Sequence, residues 1–159
     1  MPRAAFQVLV IPYRIDANGQ ARYFLFKRSD LDVWQWIAGG GEDDEKPEQT
    51  ARREAREEAG IPEDAYLVRL DSVASIPATH FADRHLWDAN VYVIPEYSFG
   101  VEVKGGEVRL SDEHSVCAWL DYETARDRLK WDSNRTALWE LDRRLSGKAR
   151  LTSGCSATR

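Results

Sequence analysis

Cysteine is nearly absent from this 159-residue sequence. Cys117 sits in an apolar run and Cys155 in a polar tail, so neither a disulfide nor a thiolate metal site is expected. Histidine is equally scarce. His80, His85 and His114 lack the i,i+4 spacing of a zinc helix, and their positions argue for no Ser-His-Asp or Cys-His arrangement. Nothing approaches the roughly 18 apolar residues of a membrane span. Met1-Pro2-Arg3-Ala4 leads straight into a strand-like run, without the hydrophobic segment and cleavage site of a signal peptide, so the expected location is the cytoplasm. An excess of basic charge is also lacking. The net charge of −5 argues against binding a nucleic-acid backbone. An acidic protein can still hold a phosphate anion when divalent cations sit between its carboxylates and the ligand.

What is present suits one globular domain: 43% hydrophobic and 31% charged residues, with six Trp and six Tyr. We expect that domain over residues 1–146 and a polar, frayed tail over 147–159. Strands are predicted at Ala5–Tyr13 and Tyr23–Arg28, joined through the Asn18-Gly19 turn, and at Val33–Ala38. Pro47–Ala59 reads as a helix, with Pro in the first turn, Glu48 on the dipole and Gly60 as the stop. Ala51, Ala55 and Ala59 would let it lie close against a sheet. Further strands are predicted at Tyr66–Ile76, His85–Ile94 and His114–Leu120, with Pro95–Leu110 as a loop or loose hairpin. Two helices follow, one over Tyr122–Leu129 and one capped by Ser133 that carries Leu138, Leu141 and Leu145 on one face.

The informative segment runs from Gly39 to Ile61. At about 100° per residue, Glu54, Glu57 and Glu58 share an arc of roughly 100° on one helix face. Like charges at that spacing disfavour a helix by a few tenths of a kcal/mol, so arginines or bound cations should compensate. One reading is a solvated helix laced with pairs to Arg52, Arg53 and Arg56. The other is a site for a hard cation such as Mg²⁺, which combines carboxylates with water and phosphate. The preceding glycines, Gly39-Gly40-Gly41, favour the second, because they allow close backbone approach and offer carbonyl ligands.

This segment resembles the Nudix box, G-x5-E-x7-R-E-U-x-E-E-x-G-U with U aliphatic. Gly39, Glu45, Arg53, Glu54, Glu57, Glu58 and Gly60 supply the invariant residues, and Ala55 and Ile61 fill the U places. The resemblance implies an α/β fold, a mixed β-sheet in an α/β/α sandwich, and a hydrolase that cuts phosphoanhydride bonds. It also implies metal binding by Glu54, Glu57 and Glu58 with the Gly39 or Gly40 carbonyl. Glu45 and Arg53 would brace the helix and loop by a salt bridge. The proton acceptor would be Glu54, Glu58 or an acid outside the box.

A second resemblance is to the bacterial dihydroneopterin triphosphate pyrophosphatases, also described as dATP pyrophosphohydrolases. It rests on Trp34-Gln35, on Glu113-His114 with Trp119-Leu120-Asp121, and on Trp131-Asp132-Ser133-Asn134-Arg135. It implies Glu113 as a further metal ligand. The triple glycine departs from that subgroup. For substrate, Trp34 is expected to stack on a ring, Arg28 (with Lys27) to hold a phosphate, and Gly40 to let the ligand approach. Each has a plainer alternative in core packing or solvation. Asn134 and Arg135 would brace the site or cap the last helix, and His80 and His85 would lie near the substrate mouth.

The expected activity is Mg²⁺-dependent conversion of a nucleoside or pterin triphosphate to monophosphate and pyrophosphate, with Mn²⁺ a possible substitute. The expected partner is that small molecule, with neither DNA backbone nor membrane, and with the protein a monomer or homodimer. Dinucleoside polyphosphates, ADP-ribose and RNA 5′ ends are alternative substrates. A non-catalytic ligand sensor is the alternative of a different class.

Overall fold

Strand β1 (Arg3–Ile15) organises the molecule, because its alternating side chains send two apolar rows to opposite faces of a sheet. The computed structural model describes residues 3–105, 108, 109 and 114–153. After β1 come β2 (Ala21–Arg28), β3 (Trp34–Gln35), β4 (Ile37–Glu42), α1 (Pro47–Ala59) and β5 (Leu67–Pro77). They are followed by β6 (Val93–Glu102), β7 (His114–Leu120), α2 (Tyr122–Arg128) and α3 (Asp132–Ser153). Among the described residues the strands form one seven-stranded mixed sheet ordered β3-β2-β1-β6-β5, with β4 also on β1 and β7 on β2. β1 pairs antiparallel with β2 and β4 and parallel with β6.

On one face Val8 and Val10 pack with Ala51, Ala55 and Ala59 of α1. On the other, Leu9, Ile11 and Tyr13 pack with Ala137, Leu138 and Leu141 of α3. The sheet is therefore sandwiched between helices, the architecture expected from the sequence. Helix α1 begins where Gln49 Oε1 accepts a hydrogen bond from Lys46 N–H at 2.8 Å, with Pro47 entering the first turn. It ends at Gly60, whose φ of 66° suits glycine. Among the described residues no helix is long and apolar enough to cross a membrane.

Several expected boundaries are corrected. Of the expected strand His85–Ile94 only Val93 and Ile94 are extended: Ala78–His80 and Ala82–Leu86 form 3₁₀ turns, and β6 starts at Val93 and runs to Glu102, mostly through the stretch expected as a loop or loose hairpin. Pro95, Glu96 and Gly100 obscured it. Pro95 precedes the parallel ladder to β1, which starts at the Gln7–Glu96 pair, so its missing donor costs nothing there. Gly100 is required by packing, because a Cβ there would lie 2.8 Å from Leu141 Cδ1. The predicted strand Val33–Ala38 is two strands, broken at Trp36, which is fully buried and donates from Nε1 to the Asn134 carbonyl at 3.4 Å. Helix α3 starts at Asp132, which places Ser133 inside the first turn, and continues past Ser146 to Ser153.

Candidate active site

The loop between β4 and α1 folds back on the helix around one side chain. Asp43 adopts a φ of 48°, and Glu45 N–H then donates to the Glu42 carbonyl at 2.9 Å. This turn carries the Glu45 carboxylate to Arg53. Arg53 Nε lies 2.9 Å from Glu45 Oε1, and Nη2 lies 3.0 Å from Oε2. Such two-point pairing is the strong, directional form of a guanidinium–carboxylate contact. Glu45 Oε2 also accepts from Glu42 N–H (3.0 Å) and Thr50 Oγ1 (2.9 Å). The pairing with Arg53, aided by the other donors, holds the Glu45 carboxyl down at about 2. The same partner raises Arg53 above its ordinary value.

Arg53 reaches the other box residues as well. Nη1 donates to Glu54 Oε1 at 2.8 Å and to Glu57 Oε2 at 3.2 Å, and Nη2 donates to the Gly40 carbonyl at 2.9 Å. Two successive box glutamates and the glycine strand thus share one guanidinium. Arg52 and Arg56 turn away. Arg52 donates to the Glu63 and Ala65 carbonyls, and Arg56 pairs with the Glu63 side chain at 2.7 Å. The helix is therefore not evenly laced with Arg–Glu pairs, and compensation of its acidic face is concentrated in Arg53.

Gly39 explains the position of Glu54. A Cβ at residue 39 would lie 2.1 Å from both Cδ and Oε1 of Glu54. The carboxylate fills the space that any other residue would occupy. Only 12% of the Glu54 side chain is exposed, against 50% for Glu57. Burial raises the Glu54 carboxyl above its ordinary range, opposed by Arg53. Glu58 is buried on the same helix. On the opposite face of β4, Gly40 makes room for Arg3, whose Cζ and Nε would lie 2.5 Å from an added Cβ. Arg3 donates to Gln7 Oε1 and lies 4.8 Å above the Phe81 ring. Burial lowers its pKa, opposed by Asp83 and Glu54.

Gly39, Gly40, Glu45, Arg53, Glu54 and Glu57 are thus brought together. Among the described residues, no three His, Cys, Asp or Glu side chains are gathered as a ready-made metal cage. Glu113 lies outside the described residues. Arg28 and Trp34 belong to the β2–β3 edge and have other partners: Arg28 pairs with Asp30, and the Arg128 guanidinium lies 4.9 Å over the Trp34 ring. Lys27 pairs with Asp32. Arg135 donates to the Leu129 and Arg126 carbonyls, fastening the junction of α2 and α3, while Asn134 is buried beneath Trp36. His80 and His85 lie in the 3₁₀ turns.

Sequence reasoning missed two residues. Arg3 gave no local signal, since only tertiary pairing carries it to Gly40. Glu96 was hidden in a stretch expected to be a loop.

Fold, box and site agree with a known family. Residues 5–139 match the NUDIX domain, and the chain belongs to that family of hydrolases acting on phosphoanhydride bonds. Among its relatives, the dihydroneopterin triphosphate diphosphatase of Escherichia coli K12 is 30% identical over 133 residues, covering 82% of this chain and 87% of that protein. A solved structure described as a NUDIX hydrolase, from Listeria monocytogenes, is 42% identical with a TM-score of 0.82, covering 91% of this chain and 97% of its own. The solved E. coli dihydroneopterin triphosphate pyrophosphohydrolase is 27% identical with a TM-score of 0.68, covering 86% and 93%.

Proposed function

We propose that this chain is a Mg²⁺-dependent pyrophosphohydrolase, working in the cytoplasm on a free nucleoside or pterin triphosphate. The observation that carries this is the seating of Glu54 against Gly39 under Arg53, within a box that keeps every carboxylate. The E. coli diphosphatase relative supports the substrate class.

The donor set fits a hard divalent cation. It consists entirely of oxygen: the carboxylates of Glu54, Glu57 and Glu58 and the Gly39 carbonyl, with Glu113 as a further ligand. Glu54 Oε1 and Glu57 Oε2 already share one positive group, at 2.8 and 3.2 Å from Arg53 Nη1. When bound, the cation supplies neutralisation of phosphate oxygens and a lowered pKa for the attacking water.

The chain's own residues do the rest. In the reaction, a water oxygen forms a bond to phosphorus, the bridging P–O bond breaks, and its electrons leave with pyrophosphate. The water's proton goes to a carboxylate. Glu54, buried and so with raised proton affinity, is the assigned acceptor, and Glu58 is the alternative. Arg53 and Glu45 hold Glu54 and the glycine strand in place. Gly40, whose missing side chain leaves room for Arg3, is the candidate for close approach of the phosphates beside that guanidinium, and Arg28 and Trp34 are the outlying candidates for phosphate and ring contacts.

The test is product formation, resolved by ion-exchange chromatography, from dATP, the other nucleoside triphosphates, dihydroneopterin triphosphate, diadenosine tetraphosphate and ADP-ribose, with and without Mg²⁺. Glu57→Gln/Glu58→Gln is the control. Metal-dependent turnover that the control loses is the expected result. No turnover of any compound, together with tight metal-independent ligand binding, would replace the enzyme with a sensor.

A further inference from the structure

Glu96 is a buried acid that the hydrolytic machinery does not use. It is only 6% exposed. Its register partners are Gln7 on β1 and Ala74 on β5, and Gln7 stands opposite Gly40 on β4. Paired residues on neighbouring strands share a face, so Gly40, Gln7, Glu96 and Ala74 form one row across the sheet. Alternation along β6 identifies the face. Tyr97 and Phe99 pack with α1, whereas Gly100 meets Leu141 of α3. Glu96 therefore faces away from α1, on the side where Arg3 covers Gly40. Strand spacing puts Glu96 about 10 Å from Gly40. That is a reach suited to a ligand whose phosphates lie at the glycine strand and whose ring lies across the sheet. Next to the row, Ala74, Ser98, Ser133 and Thr136 line a small cavity of about 130 Å³.

Among the described residues nothing compensates this acid. Desolvation pushes its carboxyl up to about 7, and no hydrogen bond or charge from a described residue offsets it. An uncompensated buried carboxyl is a standing cost that a ligand with N–H donors would remove. Its neighbour Gln7 is oriented by Arg3, which donates to Oε1 and so leaves the amide NH₂ as the opposite end. A carboxylate that accepts two hydrogen bonds, beside an amide that donates one, complements the edge of a 2-amino-4-oxo ring. Guanine and pterins both present that edge: a ring N–H and an amino group next to a carbonyl. Adenine presents an acceptor where the ring N–H would be.

We propose that Glu96, flanked by Gln7, reads the ring of the substrate and selects a 2-amino-4-oxo heterocycle over an adenine-type one. This rests on the triphosphate reading above, and the test separates the two. Binding of guanosine monophosphate and adenosine monophosphate is measured by calorimetry for wild type, Glu96→Gln and Gln7→Leu, alongside kcat/KM for dGTP and dATP. The expected result is a wild-type preference for the guanine compound of about tenfold or more, lost to within about threefold in Glu96→Gln, with the change carried by KM. Gln7→Leu is expected to weaken the guanine compound selectively, and it serves if Glu96→Gln fails to fold. Equal wild-type binding of the two monophosphates, or a preference that survives both substitutions, overturns the proposal. A wild-type binding preference that the substitutions abolish, in a protein that turns over no triphosphate, would refute the hydrolytic reading and leave ring selection standing.

Discussion

Replacing Gly39 with alanine adds one methyl group at the tightest contact of the site. Its Cβ would lie 2.1 Å from Cδ and Oε1 of Glu54, and contacts under 3.0 Å do not persist. Something must move by about 1 Å. β4 is tied to β1 through the register from Gln7–Gly40 to Val10–Ile37, so the side chain of Glu54 yields before the strand does. Its retreat breaks the 2.8 Å bond from Arg53 Nη1 and shifts the assigned proton acceptor. A displacement of about 1 Å at a reacting group lowers kcat/KM by about a hundredfold. The fold should largely hold: overpacking costs on the order of 1–2 kcal/mol, and Tm falls by roughly 2–8 °C. The assay is pyrophosphate release with Mg²⁺, run beside a thermal melt, in wild-type and Glu54→Ala backgrounds. Gly39→Ala should impair the first and add little to the second, because its target is already gone. Full activity in Gly39→Ala, or an equal further loss in Glu54→Ala, would refute the reasoning.

Other outcomes follow from the same geometry. The Glu45 carboxyl sits below its ordinary value, so its stabilisation is complete above about pH 4.5 and is lost as pH falls towards 2. It amounts to at most about 3 kcal/mol, and urea melts across that window should show a flatter acid limb for Glu45→Gln than for wild type. Arg53→Lys keeps the charge but cannot reach Glu45, Glu54, Glu57 and the Gly40 carbonyl together, so kcat/KM should drop by about a hundredfold or more; activity near wild type would show that charge alone suffices. Gly100→Ala should cost on the order of 1–3 kcal/mol in denaturant melts through its clash with Leu141, and Leu141→Ala in the same chain should relieve part of that penalty. Chelation should abolish turnover and Mg²⁺ should restore it; turnover that survives chelation would remove the cation from the mechanism.

The helix and its glycine strand were legible because their signals are local. Pro47, Gly60 and the four-residue spacing of the alanines act within a few turns, and α1 takes the bounds they predict. The box gave the identity of the glutamates but not the division of labour among the arginines. Which guanidinium meets which carboxylate depends on where the 43–45 turn and the 63–65 loop come to rest. β6 was illegible because its marks are tertiary: Gly100 answers to Leu141, and Glu96 to a row assembled from three other strands. Trp34 and Trp36 stand only two residues apart, yet only Trp36 enters the core completely, which the spacing alone does not reveal.

The parallel ladder between β1 and β6 joins segments separated by more than half the chain, with Gln7 opposite Glu96. During synthesis, the helix of glutamates is complete long before β6 has emerged. Contacts of such separation carry a large closure entropy and form late. The charge-bearing half of the site is therefore made first, and the parallel strand that pairs Glu96 with Gln7 joins it later. A growing chain stopped before Val93 is expected to contain the whole box yet to bind no triphosphate, which ribosome-arrested chains of graded length would show as an abrupt onset of ligand protection.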